Sequence, residues 1–524
     1  MPPTPVTVVW FKRDLRIHDH VPLRAAAELG RVIPLYVIEP EVLCAPDMDA
    51  MHFVFIRECL TELREDLAAL GTPLVVRKGD PVEVLAALQA QYPINAIYAH
   101  EETGNALTFA RDERVHAWSA ATNIEFIEWP QTGVVRRLRS RDGWSRIWTQ
   151  RMQQVPVDPP VGLEGVSIDP GVIEDEASVG VSHLHPASAL RRQALIGGEA
   201  SAEATLTSFL ESRGKNYQRE ISAPGVAANA CSRLSPYLAF GAISMRTVVD
   251  RTTASDLPSR ARRAFLSRLH WHCHFMQKLE SQPSIEFECF NPLYENLRHT
   301  DQRETYLAAW CEGRTGYPFV DACIRALQTM GWINFRMRAM LVSFAAYDLW
   351  LDWRSFKDFL ARQFIDYEPG IHISQLQMQS GVTGINTPRM YNPVKQGYDH
   401  DPKGLFIRRW VPELEAVPDL FIHEPWKLSP LEIAETGFRP GIDYPERVVV
   451  HETAIREARR RIAEVRHSEA HRATAGAVFE RHGSRKQRGD KQSSANYRRR
   501  RSGGQDGQRF DQPESSDGQL NLFE

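Results

Sequence analysis

Short, almost continuous apolar runs alternate with longer amphipathic stretches over the first 130 residues of the chain. The runs cover residues 6–11, 32–38, 73–77, 95–99 and 124–129. Runs of this length are typical of strands buried on both faces of a sheet, and the stretches between them have the length of helices. The pattern predicts an α/β domain over residues 1–130, built on a doubly wound, Rossmann-like parallel sheet.

The pattern changes beyond residue 130. Residues 131–202 include Pro- and Gly-bearing stretches such as VPVDPP at 155–160, which indicate a long irregular linker. From residue 203 onwards apolar residues recur at helical spacing, most clearly over residues 315–353. A second, all-α domain is therefore expected over residues 203–466.

The C-terminal stretch has a different composition. Residues 467–518 lack the apolar pattern, and much of this stretch is rich in Arg, Gln, Ser, Gly and Asp. Such a segment cannot bury enough apolar surface to offset its chain entropy, so we expect a disordered basic tail. The last residues, 519–524, begin with the apolar peptide QLNLF.

Composition narrows the class of protein. With 43% apolar and 25% charged residues among 524, the chain resembles an ordinary globular protein of two or three domains. None of the seven cysteines forms a CxxC pair, so neither a zinc site, nor any other metal site, nor a disulfide framework is expected. No apolar run is long enough to span a bilayer, and no signal peptide is recognisable. These features predict a cytoplasmic protein.

Several motifs follow one another along the chain. They are VWFKRDLR at 9–16, SRLSPYLAFG at 232–241, TGYPFVDA at 315–322, YNP at 391–393 and FIRRWVPEL at 406–414. In this order they resemble the DNA photolyase/cryptochrome superfamily over roughly residues 5–465. The resemblance implies an antenna domain followed by an all-α domain that holds a folded FAD. It also implies a reaction in which excited, reduced FAD donates one electron to a pyrimidine dimer in DNA.

The resemblance assigns one group of residues to the binding of FAD. Tyr217 and the segment 232–235 would contact the diphosphate, while Arg338 and Asp366 would form an ion pair beside the isoalloxazine ring. On spacing alone, 232–235 also fits an ordinary helix N-cap, and Arg338 with Asp366 a structural pair. The complete group is Tyr217, Ser232, Arg233, Leu234, Ser235, Arg338, Asp366, Glu368 and His372.

A second group is assigned to damaged DNA and to catalysis upon it. The flat rings of Trp271 and Trp332 suit the stacking of a flipped dimer, although a Trp at helical spacing is more often a core residue. In the resemblance His372 aligns with the residue over flavin N5 and counts with the two tryptophans as catalytic, although it also fits a satisfied core histidine. The DNA-binding residues are Arg268, Trp271, Trp332, Arg336 and Met378.

Five positions depart from the family's pattern. They are Arg268, Phe335, His372, Leu376 and Met378, which replace Glu, Asn, Asn, Trp and Trp respectively. A Leu cannot relay an electron, so Leu376 interrupts the usual photoreduction route. Trp310 and Trp353 match the other two members of that route, and Trp350, Tyr367 and Tyr391 are candidates for a replacement.

These departures leave two functions open. The retained tryptophans favour a deoxyribodipyrimidine photo-lyase that repairs cyclobutane dimers, and we expect this function. The changed positions favour the alternative, a cryptochrome-like blue-light photoreceptor that does not repair DNA.

Two further features concern cofactors and partners. The stretch HEETGN at 100–105 follows a predicted strand, at the sheet edge where relatives bind a folate or deazaflavin antenna, although it also fits a plain polar loop. The terminal Gln519, Leu520, Leu522 and Phe523 resemble the short peptide by which bacterial repair proteins bind the sliding clamp. We expect a monomer that binds damaged DNA, with the clamp as a further partner.

Overall fold

The structure, a computed structural model, describes residues 5–181, 195–298 and 303–483. The apolar runs of the first region form a parallel sheet with strand order β3-β2-β1-β4-β5, and a short β6 pairs with the start of β2. The strands are β1 Val6–Phe11, β2 Arg31–Ile38, β3 Val75–Lys78, β4 Ile94–His100, β5 Glu125–Trp129 and β6 Glu164–Gly165. This confirms the predicted fold class for the N-terminal region.

Helices cover both faces of this sheet, as a doubly wound arrangement requires. In the central strand, Val9 and Phe11 belong to one hydrophobic core and Val8 and Trp10 to another. Because successive side chains point to opposite faces, a strand buried on both sides reads as a continuous apolar run. The helices are α1 Val21–Leu29, α2 Pro40–Leu43, α3 Ala50–Leu70, α4 Pro81–Gln89 and α5 Ala106–Thr122.

The predicted linker, residues 131–202, has more regular structure than the sequence pattern indicated. It contains β6 and the helices α6 Trp144–Met152 and α7 Glu176–Val179. Trp144 and Trp148 are one helical turn apart and both are buried, with ring centroids 5.0 and 4.8 Å from that of His270. The linker therefore packs against the second domain through an apolar helix face.

The second region is entirely helical, as predicted, and residues 344–348 form a π-helical turn. No helix of the described ranges combines the length and apolar character that a membrane span needs. The helices are α8 Glu199–Glu211, α9 Tyr217–Glu220, α10 Pro224–Ala230, α11 Ser235–Ala239, α12 Met245–Ala254, α13 Ser259–Ser281, α14 Glu304–Cys311, α15 Pro318–Met330, α16 Phe335–Ser343, α17 Trp353–Gln363, α18 Pro369–Gln379, α19 Pro393–His400, α20 Leu405–Trp410, α21 Pro430–Thr436, α22 His451–Arg466 and α23 Glu469–His482.

The last of these helices, α23, lies inside the stretch that the composition predicted to be a disordered tail. Ser468 caps it by accepting the His471 backbone N–H at 3.1 Å, and Val478 is buried in the core of the second domain. Ring contacts of His471 with Tyr294 and of His482 with Phe290 also join this helix to the second domain. Its polar composition alone does not predict these contacts. The rest of the tail, with Gln519, Leu520, Leu522 and Phe523, lies outside the described residues.

The N-terminal motif joins the two domains. Arg13 donates from Nε to the Ala239 carbonyl at 2.7 Å and from Nη2 to the Tyr367 carbonyl at 2.9 Å. Arg16 donates to the carbonyl of Gly241 at 2.8 Å. Gly241 has φ +68°, and a Cβ there would lie 2.1 Å from the Arg13 carbonyl oxygen, so only glycine fits this contact. The motif thus fixes the sheet domain against the helical domain.

Candidate functional site

One large cavity, of about 560 Å³, opens in the helical domain. Its volume lies in the range of pockets that hold cofactors and small ligands. The cavity runs along α13 and is bordered by the loops before α11 and α16. The predicted site residues that line it together are Tyr217, Ser232, Arg233, Ser235, Arg268, Trp271, Trp332, Arg336, Arg338, Asp366 and Met378.

The lining of this cavity is strongly positive. Among the described lining residues Asp366 is the only carboxylate. The cationic lining residues are Arg233, Arg268, Lys278, Arg336, Arg338 and Arg389. Guanidinium groups recognise phosphate oxygens through pairs of hydrogen bonds, so this excess of cations suits phosphate-bearing ligands.

Arg338 and Asp366 form the predicted ion pair. The two N–H···O contacts are 3.0 and 2.9 Å long, and Arg338 Nε also donates to the Ile333 carbonyl at 2.8 Å. Burial would raise the pKa of Asp366, but Arg338 and a hydrogen bond from the Ser235 hydroxyl lower it below its usual value. The Ser235 hydroxyl is thus directed at Asp366, although we had assigned it to the diphosphate.

Arg233 stands over Trp332 at the rim of the cavity. Its guanidinium carbon lies 4.1 Å from the centroid of the Trp332 ring, a cation–π contact. Arg233 has φ +63°, which is uncommon outside glycine, and such strained residues concentrate at functional sites. Burial lowers its pKa to about 10. The negative charge of Asp366 opposes this lowering of the Arg233 pKa.

A backbone turn places the ring of Trp332 at the cavity. Helix α15 ends at Gly331, which adopts the left-handed conformation at φ +66° and turns the chain so that Trp332 enters the cavity. Asn334 then fixes the segment by donating to the carbonyls of Ile221 and Ser222 at 2.9 and 3.0 Å. On the facing wall, Arg268 hydrogen-bonds to Tyr217, the ring predicted to contact the diphosphate.

Several predicted residues do not line the main cavity. Leu234 is buried beneath the 232–235 segment, and Trp310 and Trp353 are completely buried in the core of the helical domain. Glu368 lies at the domain interface, where its Oε2 is 3.3 Å from Arg13 Nη2.

His372 lies in a second, small cavity of about 70 Å³, which the Arg338–Asp366 pair also borders. Its Nε2 is 2.9 Å from the Lys357 carbonyl oxygen, and burial lowers its pKa to about 4, so the neutral ring donates that hydrogen bond. The structure does not bring this ring into the main cavity as the resemblance implied.

The small cavity also bears on the route of photoreduction. Leu376 lines it, as does Tyr367, whose ring centroid lies 5.3 Å from that of His372. Trp350 and Tyr391, the other two candidates for a replacement route, line neither cavity. Of the three, Tyr367 alone lines the small cavity that borders the Arg338–Asp366 pair.

Sequence reasoning missed several polar or aromatic residues of the main cavity, among them His272, Lys278, Phe479 and His482. Lys278 lies seven residues after Trp271, which puts both on one face of α13, and this spacing could have revealed it. Phe479 and His482 belong to α23, which composition had assigned to the disordered tail. Burial lowers the pKa of His272 to about 4.

Glu368 gives a test of the domain interface through pH. Burial raises its pKa to about 7, with Arg13 opposing the rise, and its Oε1 has no hydrogen-bond partner among the described residues. The pKa of Glu368 is higher in the folded state than in the unfolded state. The protonated carboxyl therefore stabilises the folded protein fully below the unfolded-state pKa, and this stabilisation is lost as the pH rises through about 7.

We therefore expect Glu368→Gln to gain stability relative to the unsubstituted protein as the pH rises. The difference in free energy of unfolding should grow by about 3 kcal/mol between pH 4.5 and pH 8. Urea unfolding at a series of pH values measures it, with Glu415→Gln on the exposed surface as the control. A difference that stays constant with pH would contradict the assignment.

A third cavity lies at the carboxyl edge of the sheet, where the antenna was predicted. Glu102, Gly104 and Asn105 line it, and its volume is about 90 Å³. Arg111 crosses this region and pairs with Glu39 at 2.7 Å and with Glu102 at 2.6 Å. Pockets for drug-sized ligands usually exceed about 300 Å³, so a folate or deazaflavin would require these side chains to move.

Asp14, His20 and His100 are buried side by side in the sheet domain, close enough to resemble a metal site. Both imidazoles approach the same carboxylate oxygen, at 2.9 and 2.8 Å. His20 Nδ1 accepts the Leu23 backbone N–H at 3.1 Å, so its Nε2 carries the proton and donates to Asp14. His20 has no lone pair left for a metal ion, and the group is a hydrogen-bonded network.

A parallel α/β domain joined to a helical domain with a cation-lined cavity defines a two-domain protein that binds a phosphate-bearing cofactor. Residues 7–141 match the family described as DNA photolyase, and residues 265–464 match the FAD-binding domain of DNA photolyase.

Individual relatives agree with these matches. The chain is 31% identical to a deoxyribodipyrimidine photo-lyase of Streptomyces griseus over 466 residues, which cover 85% of this chain and 96% of the relative. It is 28% identical to a cryptochrome DASH of Gloeobacter violaceus over 472 residues, 85% of this chain and 93% of the relative. A bacterial class III photolyase from Agrobacterium tumefaciens superposes with a TM-score of 0.80 at 26% identity, over 89% of this chain and 99% of the other.

The chain belongs to the DNA photolyase/cryptochrome family, and its cofactor is FAD. The main cavity fits this cofactor: its volume is sufficient, Trp332 offers an aromatic wall, and cationic side chains outnumber the single carboxylate among its described lining residues. The family contains both repair enzymes and cryptochromes, so membership alone does not decide between the two functions.

Proposed function

We propose that this protein is a light-driven DNA repair enzyme, a deoxyribodipyrimidine photo-lyase that splits pyrimidine dimers. One observation carries the proposal: both tryptophans, Trp271 and Trp332, line a single cavity with six of the nine residues that the resemblance assigns to FAD. These six residues are Tyr217, Ser232, Arg233, Ser235, Arg338 and Asp366. A nucleotide flipped out of duplex DNA into this cavity would meet the cofactor with no protein wall between them. When bound and reduced, FAD supplies one electron after absorbing blue light.

Several side chains of the cavity are suited to binding a flipped dimer and the DNA backbone. Trp271 and Trp332 offer flat surfaces on which the fused pyrimidines stack. Arg336 and Arg389 supply positive charge to a cavity that must admit a phosphate backbone. Asp366 stays ionised beside the cavity, because Arg338 lowers the pKa of this carboxyl against the effect of burial.

The decisive experiment is repair in light. Reduced, FAD-loaded protein is illuminated with DNA that carries either a cyclobutane dimer or a (6-4) product, and restoration of normal bases is followed by chromatography. We expect repair of the cyclobutane dimer in the light and none in the dark. Failure to repair either lesion by a protein whose flavin still photoreduces would refute the proposal and favour photoreception.

One observation supports the second function, a blue-light photoreceptor. Arg268, which replaces a lesion-contacting Glu of the family's best-known branch, hydrogen-bonds to Tyr217. Its guanidinium is thus engaged at the FAD end of the cavity and offers the lesion no carboxylate oxygen. Light-dependent structural change without repair, for example in limited proteolysis before and after illumination, would support this function.

We further propose that the terminal peptide QLNLF binds the bacterial sliding clamp. In this mode a Gln hydrogen-bonds while Leu and Phe side chains fill an apolar groove, and a flexible tether raises the local concentration. The full chain should retain the purified clamp on an affinity column, whereas a Leu522→Ala, Phe523→Ala double variant should not. If both proteins retained the clamp equally, the clamp would not be bound through this peptide.

A further inference from the structure

The small cavity beside His372 adjoins the main cavity. The two share five lining residues, namely Phe335, Arg338, Asp366, Ile371 and Gln379. Apolar side chains such as Leu360 and Leu376 cover much of the remaining wall of the small cavity. Its volume of about 70 Å³ is several times what one water molecule needs, so the edge of a ring can enter it. A ligand in the main cavity can therefore extend an uncharged end to this side.

Helix α18 presents a polar stripe to the small cavity. His372, Gln375 and Gln379 follow one another at intervals of three and four residues, so they lie on one face of the helix. All three line the small cavity, and Gln379 also lines the main cavity. None of the three is more than 9% exposed. Polar groups that are buried to this degree require hydrogen-bond partners.

Gln375 carries a buried donor that lacks such a partner. Its Oε1 accepts a hydrogen bond from Gln379 Nε2 at 3.4 Å, whereas its own Nε2 has no hydrogen-bond partner among the described residues. The Oε1 of Glu368, which lines the same small cavity, also has none within the described ranges. Leaving buried polar atoms unbonded is costly, so these two atoms indicate that a polar group of a ligand belongs in this cavity.

A neighbouring glutamine shows how a structural amide is bonded on the same helix. Gln377 Nε2 donates to the carbonyls of Ile285 and Glu288 at 2.7 and 2.8 Å, and its Oε1 accepts the Phe290 backbone N–H at 2.7 Å. Gln377 lines neither cavity. A carboxamide on α18 can thus be fully bonded within the protein, and the unbonded Nε2 of Gln375 reflects its place at the cavity.

We propose that Gln375 binds the isoalloxazine ring of FAD by donating a hydrogen bond from Nε2 to a carbonyl oxygen of the ring's imide edge. The cationic lining of the main cavity suits the diphosphate, which leaves the uncharged ring for the apolar side with its few amides. The contact with Gln379 holds the Gln375 amide in place. A donor at this edge also stabilises the negative charge that the ring gains on reduction.

Thymine has an imide edge of the same chemistry, so a base of the lesion is the other source of such a group. The position of Gln375 favours the flavin, because Gln375 lines the small cavity and not the main cavity through which DNA would enter. The inference concerns the cofactor alone and holds for a repair enzyme and for a photoreceptor alike.

The first test compares Gln375→Met, Gln377→Met and Gln153→Met in the full-length, FAD-loaded protein. Methionine keeps the approximate size of glutamine but has no N–H donor, and Gln153 is an exposed control. Ultrafiltration at graded protein concentrations gives the dissociation constant of oxidised FAD. Gln375→Met should bind oxidised FAD about 3- to 10-fold more weakly because one hydrogen bond is lost. Gln153→Met should show no change.

Two properties of the bound flavin distinguish a hydrogen bond to the ring from a purely structural role. Reduced FAD carries a negative charge, so its affinity should fall about tenfold more than that of oxidised FAD, which lowers the two-electron midpoint potential by about 30 mV. The carbonyl stretching bands of the flavin should move to higher frequency, because a hydrogen bond to the oxygen is lost. Spectroelectrochemistry and vibrational difference spectroscopy measure these two changes.

Gln377→Met provides the opposite result. It leaves the Ile285 and Glu288 carbonyls and the Phe290 N–H without their side-chain partner, so the unfolding temperature of the FAD-loaded protein should fall by a few degrees. Its flavin potential and carbonyl bands should stay unchanged. If Gln377→Met shifted both properties as Gln375→Met does, the shifts would report a disturbed helix, and the inference would be overturned.

The remaining outcomes are equally distinct. If Gln375→Met keeps the FAD affinity, potential and carbonyl bands of the unsubstituted protein, the inference is overturned. If it keeps these properties but binds dimer-bearing DNA more weakly, the amide serves the imide edge of thymine, and the inference is overturned in favour of the lesion. None of the flavin measurements involves repair, so a negative repair assay leaves this inference standing, and its failure leaves the repair function standing.

Discussion

Replacing Arg338 by Met should destabilise the protein by about 3–5 kcal/mol and release most of its FAD. The Asp366 side chain is only 4% exposed and receives two N–H···O bonds from Arg338. Without this partner a buried carboxylate remains beside the cavity, and its pKa must rise until it takes up a proton. Urea unfolding gives the free energy, and the ratio of flavin to protein absorbance gives the FAD content.

Two further variants serve as controls for the Arg338→Met variant. Arg460→Met removes an arginine that is 57% exposed and pairs with Glu457 and Glu464, and it should change the stability far less than Arg338→Met does. Adding Asp366→Asn to Arg338→Met should recover part of the lost stability, because no unpaired charge is left. If Arg338→Met were no less stable than Arg460→Met, the pair would not support the cavity as described.

The sheet was predictable because each of its strands can be recognised from residues that are adjacent in the sequence. Each central strand is buried on both faces, so each reads as a continuous apolar run between helices, and the structure confirms this fold. The linker was harder to predict, since α6 is stabilised by the contacts of Trp144 and Trp148 with a residue more than a hundred positions away. Helix α23 was not predicted for the same reason, because Val478 is buried in a core formed by residues distant in the sequence.

The motifs predicted the site better than the individual roles of its residues. The motif at 315–322 helps to identify the family, yet its Asp321 is fully buried and accepts the backbone N–H groups of Thr315 and Gly316 at 2.8 and 3.1 Å. Its hydrogen bonds hold a loop, and it does not line the cavity. A motif match therefore does not show whether a residue serves the fold or the functional site.

Residues that the motifs do not contain could be found only from the structure. Lys278 and His482 are two hundred positions apart, and only the packing of α23 brings both to the main cavity. The assignment of Ser235 to the diphosphate had a similar weakness, because sequence cannot show that a hydroxyl is already bonded to Asp366. Long-range juxtaposition is the information that local patterns lack.

Replacing Trp271 by Ala should abolish efficient dimer repair while FAD stays bound. The Trp271 ring lines the cavity and is held edge-to-face by His274, with ring centroids 4.8 Å apart. Stacking on an aromatic ring contributes about 1–3 kcal/mol per base, so affinity for dimer-bearing DNA should fall about 5- to 150-fold. Titration with damaged and undamaged oligonucleotides measures the loss, and repair per absorbed photon at saturating DNA measures any defect beyond binding.

The control for this variant is Trp118→Ala, which removes a ring of similar burial from α5 in the sheet domain, away from the cavity. It should leave lesion binding and repair unchanged, and Trp271→Phe should retain an intermediate affinity because a smaller flat ring remains. Photoreduction of the flavin should be unaffected in all three variants, since Trp271 serves the lesion and not the entry of electrons. A Trp271→Ala protein that bound and repaired dimers normally would show that the cavity does not receive the lesion. The photoreceptor function would then explain the FAD site better than repair does.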